Sequence, residues 1–286
     1  MTREDFKKFL DDKNLKPSRV AKSIGVSASM ISQWQSNTYK GDNQSLEKKL
    51  ESFKNNYDFK QSAKTSAFEL KETTDLQGAF FVMEEAIVDN EMAILYGAAG
   101  TGKTTTIKEF AESRSDTRLL ELVPGISTKK FLELICEKIN ISPEVGVDTN
   151  ILNIAKELGR GDIAIIIDEA EHLTVRSLEA IRRVWDFTPF ALILVGTPVL
   201  IKNLKGNSGE LLQLYSRPSG KYEFKGLRAN EFELFFGDFG KEVKKYTTHM
   251  RRAVSLYRKA TRFALMNNEK LDVKHIKLAS TMVFLD

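Results

Sequence analysis

The 286-residue sequence has little of three things: cysteine, histidine and long apolar runs. Its one cysteine, Cys136, falls in a helical apolar pattern, which predicts a buried thiol, no disulfide and a reducing compartment. His172, His249 and His275 have no cysteine partners, so a zinc site has little support. No apolar stretch approaches the roughly twenty residues that cross a bilayer, and the charged start is unlike a signal peptide. We therefore expect a soluble, cytoplasmic protein without a membrane partner.

The most informative motif present is a glycine-rich loop that follows an apolar strand. Residues 97–104 read G-A-A-G-T-G-K-T, the phosphate-loop pattern of proteins that bind nucleoside triphosphates. The glycines let successive backbone N–H groups point at phosphate oxygens, and the helix that begins at Lys103 directs its positive end at the same anion. A glycine-rich turn without a ligand is the alternative. The predicted nucleotide-binding residues of the loop are Gly97, Gly100, Thr101, Gly102, Lys103, Thr104 and Thr105.

A second motif lies 65 residues after Lys103, where the apolar run 163–167 ends in Asp168 and Glu169. Such a run is typical of a strand buried on both faces. Thr104 and Asp168 are expected to hold Mg²⁺, and Glu169 is expected to orient the attacking water. The pair of acids therefore predicts ATP hydrolysis rather than ATP binding alone. A solvated loop start is the alternative, but it leaves the coincidence with the phosphate loop unexplained.

Strands and helices alternate through the centre of the chain. This pattern predicts an α/β fold with a parallel, doubly wound sheet and a ligand at the carboxyl ends of the strands. Thr197 follows the apolar strand 191–195 and is expected to sense the γ-phosphate, although Gly-Thr-Pro is also ordinary turn chemistry. Arg217 precedes a proline and could act as a finger on a neighbouring subunit, or simply form a surface salt bridge.

Residues 1–57 show the spacing of a helix-turn-helix. One helix opens at Pro17 and stops at Gly25, and Ser27 is placed to cap the next helix over residues 28–34. The second helix of such a motif enters the major groove of DNA. A three-helix bundle that binds proteins has the same pattern, and it remains the alternative. The predicted DNA contacts on the outer face of the second helix are Ser29, Ser32 and Gln33.

Charge is distributed unevenly. The net charge is +4 over residues 1–60, −7 over 61–239 and +7 over 240–286. Basic ends indicate contact with a polyanion, because neutralising phosphates releases counterions and drives binding without sequence preference. A solvated helix face is the alternative. Residues 58–74 lack regular apolar spacing and predict a linker between the helix-turn-helix and the ATPase core.

Together these motifs resemble the AAA+ ATPases that regulate DNA transposition, of the phage Mu B type. The likeness covers nearly the full chain and includes the helix-turn-helix, the phosphate loop, I-I-D-E-A-E-H-L at 166–173 and L-Y-S-R at 214–217. It implies an AAA+ core at 75–228 and a small helical lid at 229–286. It also implies that Arg217 is a finger acting in trans and that Arg251, or else Arg252, is the second sensor. Thr197 stands where the family more often has asparagine.

The resemblance implies ATP and Mg²⁺ as cofactors and an ATPase stimulated by DNA. It further implies a bacterial or phage-encoded, nucleoid-associated protein that assembles with itself, as an oligomer or helical filament, on double-stranded DNA and recruits or stimulates a transposase. A replication helicase loader and a nucleotide-gated transcription regulator are the alternatives; Glu169 argues against the latter. Basic positions expected to follow DNA phosphates, although exposed lysines are also ordinary there, are Lys129, Lys130, Lys202 and Lys205.

Overall fold

The computed structural model describes residues 2–64, 70–161, 163–205, 212–267 and 269–284. The chain divides into two compact units, Met1–Glu69 and Leu70–Asp286, and each is described by itself. Within these described ranges, no helix is both long and apolar enough to cross a membrane.

The first unit is helical over its described residues, which form α1 (Arg3–Asp12), α2 (Pro17–Ile24), α3 (Ala28–Gln35) and α4 (Asn43–Lys64). Gly25 ends α2 in the left-handed region, with a φ of 70° that glycine adopts without strain. The Ser27 hydroxyl accepts a hydrogen bond from the backbone N–H of Met30 and caps α3. Phe6 and Trp34 are completely buried and meet edge to face in the core of this unit.

Helix α4 runs into the predicted linker, which was expected to begin at residue 58. The helix continues to Lys64, so residues 58–64 of the predicted linker are helical, and residues 65–69 lie outside the described part of the chain. Residues 58–64 read D-F-K-Q-S-A-K, in which only Phe59 and Ala63 are apolar. This stretch therefore has helix-compatible residues without the apolar periodicity by which a helix is recognised.

The second unit contains a five-stranded sheet among its described residues, in the order β2-β3-β4-β1-β5. All neighbouring strands are parallel, which confirms the predicted α/β class. Every residue of β3 and β4 is buried, as expected of a parallel sheet covered on both faces. The strands are β1 (Met92–Gly97), β2 (Thr117–Glu121), β3 (Ala164–Asp168), β4 (Leu192–Gly196) and β5 (Gly220–Phe224).

Helices cover both faces of the sheet. One face packs against α7, α8, α9 and α10, in a core that contains Phe131 and Ile181. The other packs against α5 and α6 through Met83 and Phe110. The helices of this layer arrangement are α5 (Thr74–Asp89), α6 (Lys103–Glu112), α7 (Thr128–Lys138), α8 (Val147–Leu158), α9 (Val175–Phe187), α10 (Pro198–Lys205) and α11 (Leu212–Tyr215).

Among the described residues after β5, the region predicted to be a lid contains the α-helices α12 (Glu231–Phe236), α13 (Gly240–Lys244), α14 (Met250–Met266) and α15 (Val273–Ser280). Two buried carboxylates tie this region to the start of α5. Asp75 accepts hydrogen bonds from the Gly226 N–H at 2.8 Å and the Tyr222 hydroxyl at 3.0 Å. Glu231 accepts from the Thr74 N–H at 2.7 Å. This network fixes where the C-terminal helices leave the sheet.

Strand order brings the chemistry-bearing ends together. β4 lies between β3 and β1, and the register pairs Tyr96 with Gly196 and Ile167 with Leu194. The carboxyl ends of these three strands therefore meet at one edge of the sheet, where α/β proteins bind their ligands.

Candidate nucleotide-binding site

The predicted phosphate loop connects β1 to α6 at this edge. Gly100 and Gly102 have φ angles of 75° and 103°, a left-handed region that side chains other than glycine adopt at a cost. A Cβ at Gly97 would lie 2.7 Å from the Phe224 side chain on β5, so this position needs glycine for space. The Thr101 hydroxyl donates to the Ala98 carbonyl at 2.9 Å and closes the loop.

The side chain of Lys103 is buried at the centre of the loop. Its ammonium donates to the carbonyl oxygens of Gly97 at 2.8 Å and Ala98 at 2.9 Å. Burial lowers the pKa of Lys103, and the carboxylates of Glu171, Asp168 and Glu169 oppose that shift. The neighbouring carboxylates therefore favour the charged form of Lys103, which is the form that binds a phosphate.

Thr104 and Asp168 join the loop to the end of β3. The Thr104 hydroxyl donates to Asp168 Oδ2 at 2.7 Å, and the Glu169 N–H donates to Asp168 Oδ1 at 2.9 Å. Asp168 is only 3% exposed, and this burial raises the pKa of its carboxyl while the two hydrogen bonds act to lower it.

The donor atoms at this position fit magnesium. A hydroxyl and a carboxylate oxygen are hard ligands, and Mg²⁺ is typically held by one or two such groups together with substrate phosphates and water. No cluster of three or more histidine, cysteine or acidic side chains that would hold a metal occurs among the residues that the structure describes. Thr104 and Asp168 thus supply two ligands of the kind that Mg²⁺ takes when it binds together with a nucleotide.

Glu169 adopts a left-handed backbone conformation, with a φ of 57°. Its Oε2 lies 3.6 Å from Nε2 of His172, and its side chain is 51% exposed. Non-glycine residues with positive φ are uncommon, and backbone strain of this kind concentrates at functional sites. The two acids therefore have different surroundings: Asp168 is buried against Thr104, whereas Glu169 is exposed and lies near His172.

Thr197 lies immediately after β4, as the sequence predicts, and its backbone N–H donates to Glu171 Oε1 at 3.1 Å. Glu171 was not among the residues predicted from the sequence. The local feature that could have identified it is a third acid in D-E-A-E at 168–171, two residues after the predicted catalytic Glu169.

Helix α14 approaches the phosphate loop with its first turn. The charge of Arg251 adds to the burial that lowers the pKa of Lys103, so the predicted second sensor lies near the loop. The imidazole of His249 packs directly against Gly100, so closely that a Cβ at position 100 would overlap the ring. His249 Nδ1 is buried without a hydrogen-bond partner among the described residues. This histidine was missed in the sequence because nothing local links it to a loop 149 residues earlier.

Arg217 is not part of the same chain's site. Its guanidinium pairs with Asp186 at 3.0 Å and lies over the ring of Trp185, with 43% of its side chain exposed. Two residues later, the Ser219 N–H donates to the carbonyl of Met92, the first residue of β1. Arg217 therefore lies at the amino-terminal edge of the sheet, opposite the phosphate loop.

The predicted DNA contacts fall into two groups. Three of them, Ser29, Ser32 and Gln33, are exposed on α3. The lysines are also at the surface, and three of them have local partners: Lys129 and Lys130 lie 4.0 and 3.4 Å from Glu133, and Lys205 lies over the ring of Tyr215. Lys202 is exposed. These contacts are ordinary for surface helices.

Comparison with known proteins agrees with this geometry. Residues 88–204, which run from the end of α5 through the phosphate loop to α10, match the family model of the AAA domain. The fold is similar to the ORC2 protein of Aeropyrum pernix, at 12% identity and a TM-score of 0.61 over 76% of this chain and 70% of that one. It is also similar to a Walker-type ATPase of Pyrococcus abyssi, at 16% identity and a TM-score of 0.51 over 75% of each chain. These likenesses define the fold class as that of AAA proteins.

Two curated relatives identify the family within the AAA proteins. The chain is 30% identical over 223 residues to the Mu-like prophage FluMu DNA transposition protein B of Haemophilus influenzae, covering 74% of this chain and 75% of that protein. It is 25% identical over 207 residues to the ATP-dependent target DNA activator B of Escherichia phage Mu, covering 70% of this chain and 65% of that protein. The chain belongs to the Mu transposition protein B family of AAA proteins.

Proposed function

We propose that this protein is a magnesium-dependent ATPase that assembles on double-stranded DNA and recruits or stimulates a transposase. The observation that carries the proposal is the joining of Lys103, Thr104 and Asp168 at one edge of the sheet. In a family whose members are named for DNA transposition and ATP-dependent DNA activation, this constellation supports nucleotide-controlled action on DNA.

The chain's own residues divide the chemistry among them. Lys103 would exchange the carbonyls of Gly97 and Ala98 for phosphate oxygens, and Thr104 with Asp168 would hold Mg²⁺. The bound metal supplies charge neutralisation at the phosphates. The exposed carboxylate of Glu169 would accept a hydrogen bond from the attacking water and so orient it. Thr197 and Arg251 would contact the γ-phosphate from β4 and from the lid.

The position of Arg217 supports assembly. An arginine at the amino-terminal edge of the sheet can complete only another copy's site, so ATP hydrolysis would require neighbouring subunits. The helix-turn-helix and the basic ends of the chain would supply phosphate contacts to duplex DNA, with little sequence preference. We propose a helix-turn-helix at 1–57, a core at 75–228 and a lid at 229–286; the predicted linker at 58–74 overlaps the end of α4, which extends to Lys64.

Steady-state ATP turnover, measured with Mg²⁺ in the presence and absence of random duplex DNA, tests the enzymatic part. We expect turnover that rises with DNA, loss of ATP binding in Lys103→Ala, and retained binding with little turnover in Glu169→Gln. Normal hydrolysis by Glu169→Gln would refute the assignment of the water-orienting residue. Pull-down of a transposase against a replicative helicase separates transposition from helicase loading, and the names of the relatives favour the transposase.

A further inference from the structure

Glu171 connects three elements of the candidate site. It lies in the 3-10 turn Ala170–His172 that follows β3. Its Oε1 accepts a hydrogen bond from the backbone N–H of Thr197, just after β4, at 3.1 Å. Its own backbone carbonyl accepts from Asn203 Nδ2 on α10, also at 3.1 Å. One residue thus fixes the end of β3 to the end of β4 and to the helix that follows.

The contact depends on Gly196. A Cβ built at Gly196 would overlap Glu171 Oε2, so only glycine leaves room for the carboxylate there. Oε2 itself is buried and has no hydrogen-bond partner among the described residues. Leaving a buried polar atom unpaired costs about 1–3 kcal/mol. One oxygen of the Glu171 carboxylate is therefore bound to Thr197, and the other can accept a further hydrogen bond.

Glu171 also lies near the phosphate loop. Among the acids that oppose the burial-induced lowering of the Lys103 pKa, Glu171 has the largest effect, ahead of Asp168 and Glu169. The Glu171 side chain is therefore close to the phosphate-loop lysine while it is bonded to Thr197. This is the end of the site where a γ-phosphate would sit.

We propose that Glu171 is a positioning residue for ATP hydrolysis, which holds the backbone at Thr197 so that the Thr197 side chain faces the γ-phosphate. The inference rests on the proposed ATPase function and adds a residue to it. What the role requires is a hydrogen-bond acceptor at the correct distance. The negative charge of the side chain is not itself required.

Two conservative variants separate the hydrogen bond from the charge. Glu171→Gln keeps an acceptor at the same length and removes the charge, whereas Glu171→Asp keeps the charge and shortens the side chain by one methylene. We expect Gln to retain kcat within about threefold, and Asp and Ala to lose about tenfold or more, since small misplacements of a positioning group are costly. Affinity for a non-hydrolysable ATP analogue should change by less than about twofold in all three, because binding rests on Lys103 and the loop.

A double-mutant cycle tests whether Glu171 acts through Thr197. If it does, adding Glu171→Ala to Thr197→Ala should cause no further loss of kcat, whereas independent roles give multiplicative losses. Glu85→Ala, at an exposed position on α5, is the matched control for removing a glutamate. Thermal unfolding of each variant checks the fold, and the Gln and Asp pair remains informative if the Ala variant does not fold.

Failure of the positioning role and failure of the proposed ATPase function give different results. An active Asp variant with an inactive Gln variant, wild-type kcat in Glu171→Ala, or multiplicative losses in the cycle would each overturn the positioning role. Failure of the underlying function has another signature: the wild-type protein would turn over no ATP, and Lys103→Ala would change nothing.

Discussion

Asp168→Asn should make the protein more stable while removing the proposed magnesium-dependent ATPase activity. Asp168 is 3% exposed, and burial holds the pKa of its carboxyl above the ordinary value of 3.8. An asparagine has nearly the same shape and can keep both hydrogen bonds, accepting from the Glu169 N–H and donating to the Thr104 hydroxyl. The variant therefore removes a buried charge without leaving a polar group unpaired.

The expected gain follows from the cost of burying an incompletely compensated charge. Buried polar groups cost about 1–3 kcal/mol in mutational data, and the two hydrogen bonds already offset part of this, so we expect a gain of about 1 kcal/mol. For a chain of this size that corresponds to a rise in Tm of roughly 2–4 °C. Active sites commonly trade stability for activity in this way.

The gain should depend on pH. Because the folded-state pKa of Asp168 is raised, the folded protein binds more protons than the unfolded chain between pH 3.8 and that raised value. The stability of the wild-type protein therefore falls as pH rises through this window. The advantage of Asp168→Asn should be absent below it and complete above it.

Asp116→Asn is a control with the opposite sign. Asp116 accepts two hydrogen bonds from Arg114, at 3.0 and 2.7 Å, and this pairing lowers the pKa of its carboxyl. The same substitution should therefore destabilise the protein at neutral pH. Denaturant unfolding of both variants at pH 7, without nucleotide or Mg²⁺, measures the two effects, and binding of an ATP analogue with and without Mg²⁺ measures the functional loss. A less stable Asp168→Asn at pH 7 would refute the reasoning.

Three further predictions concern the nucleotide, the subunit interface and DNA. His249→Ala should weaken nucleotide affinity about tenfold, which is the value of one charge-assisted hydrogen bond. The neighbouring Thr248→Ala should leave the affinity unchanged. Equal nucleotide affinities of the wild-type protein and His249→Ala, measured by fluorescence titration, would exclude a role for the imidazole. Arg217→Ala should bind ATP without hydrolysing it, and mixing it with Glu169→Gln should restore some turnover; no recovery, or full activity of Arg217→Ala at low protein concentration, contradicts a finger in trans. Affinity for random duplex DNA should require ATP and fall steeply with salt, by about 0.9 log units per tenfold rise in salt for each neutralised phosphate; filter binding that is equal with ATP, ADP or neither would exclude coupling.

The parts of the site that lie at strand ends were predictable from sequence. A buried parallel strand is an apolar run, so the chemistry-bearing residues stand out where the run stops, as at Gly97, Asp168 and Thr197. The carboxyl ends of parallel strands then meet at one edge without further information. The boundary between α2 and α3 was predictable for a similar reason, because Gly25 and Ser27 mark the end of one helix and the start of the next.

The remaining features depend on contacts that no local pattern records. Strand β5 lies at the edge of the sheet, and its residues before Phe224 alternate between half-buried and exposed. It therefore lacks a continuous apolar run, and it was not predicted from the sequence. Glu171 and His249 act across 26 and 149 residues respectively, on Thr197 and Gly100. Their partners follow from how β4 and α14 pack, which is a tertiary property.

The topology places Arg217 far from the phosphate loop of its own chain. Arg217 is held near the first residue of β1 by the hydrogen bond between Ser219 and Met92, while the phosphate loop begins at Gly97, at the other end of the same strand. A strand rises about 3.3 Å per residue, so the two ends are separated by roughly 17 Å, farther than one arginine side chain reaches. Arg217 also has a partner within its own chain, Asp186 on α9. A second copy that draws Arg217 into its site must therefore compete with this ion pair, which is half exposed and for that reason weak.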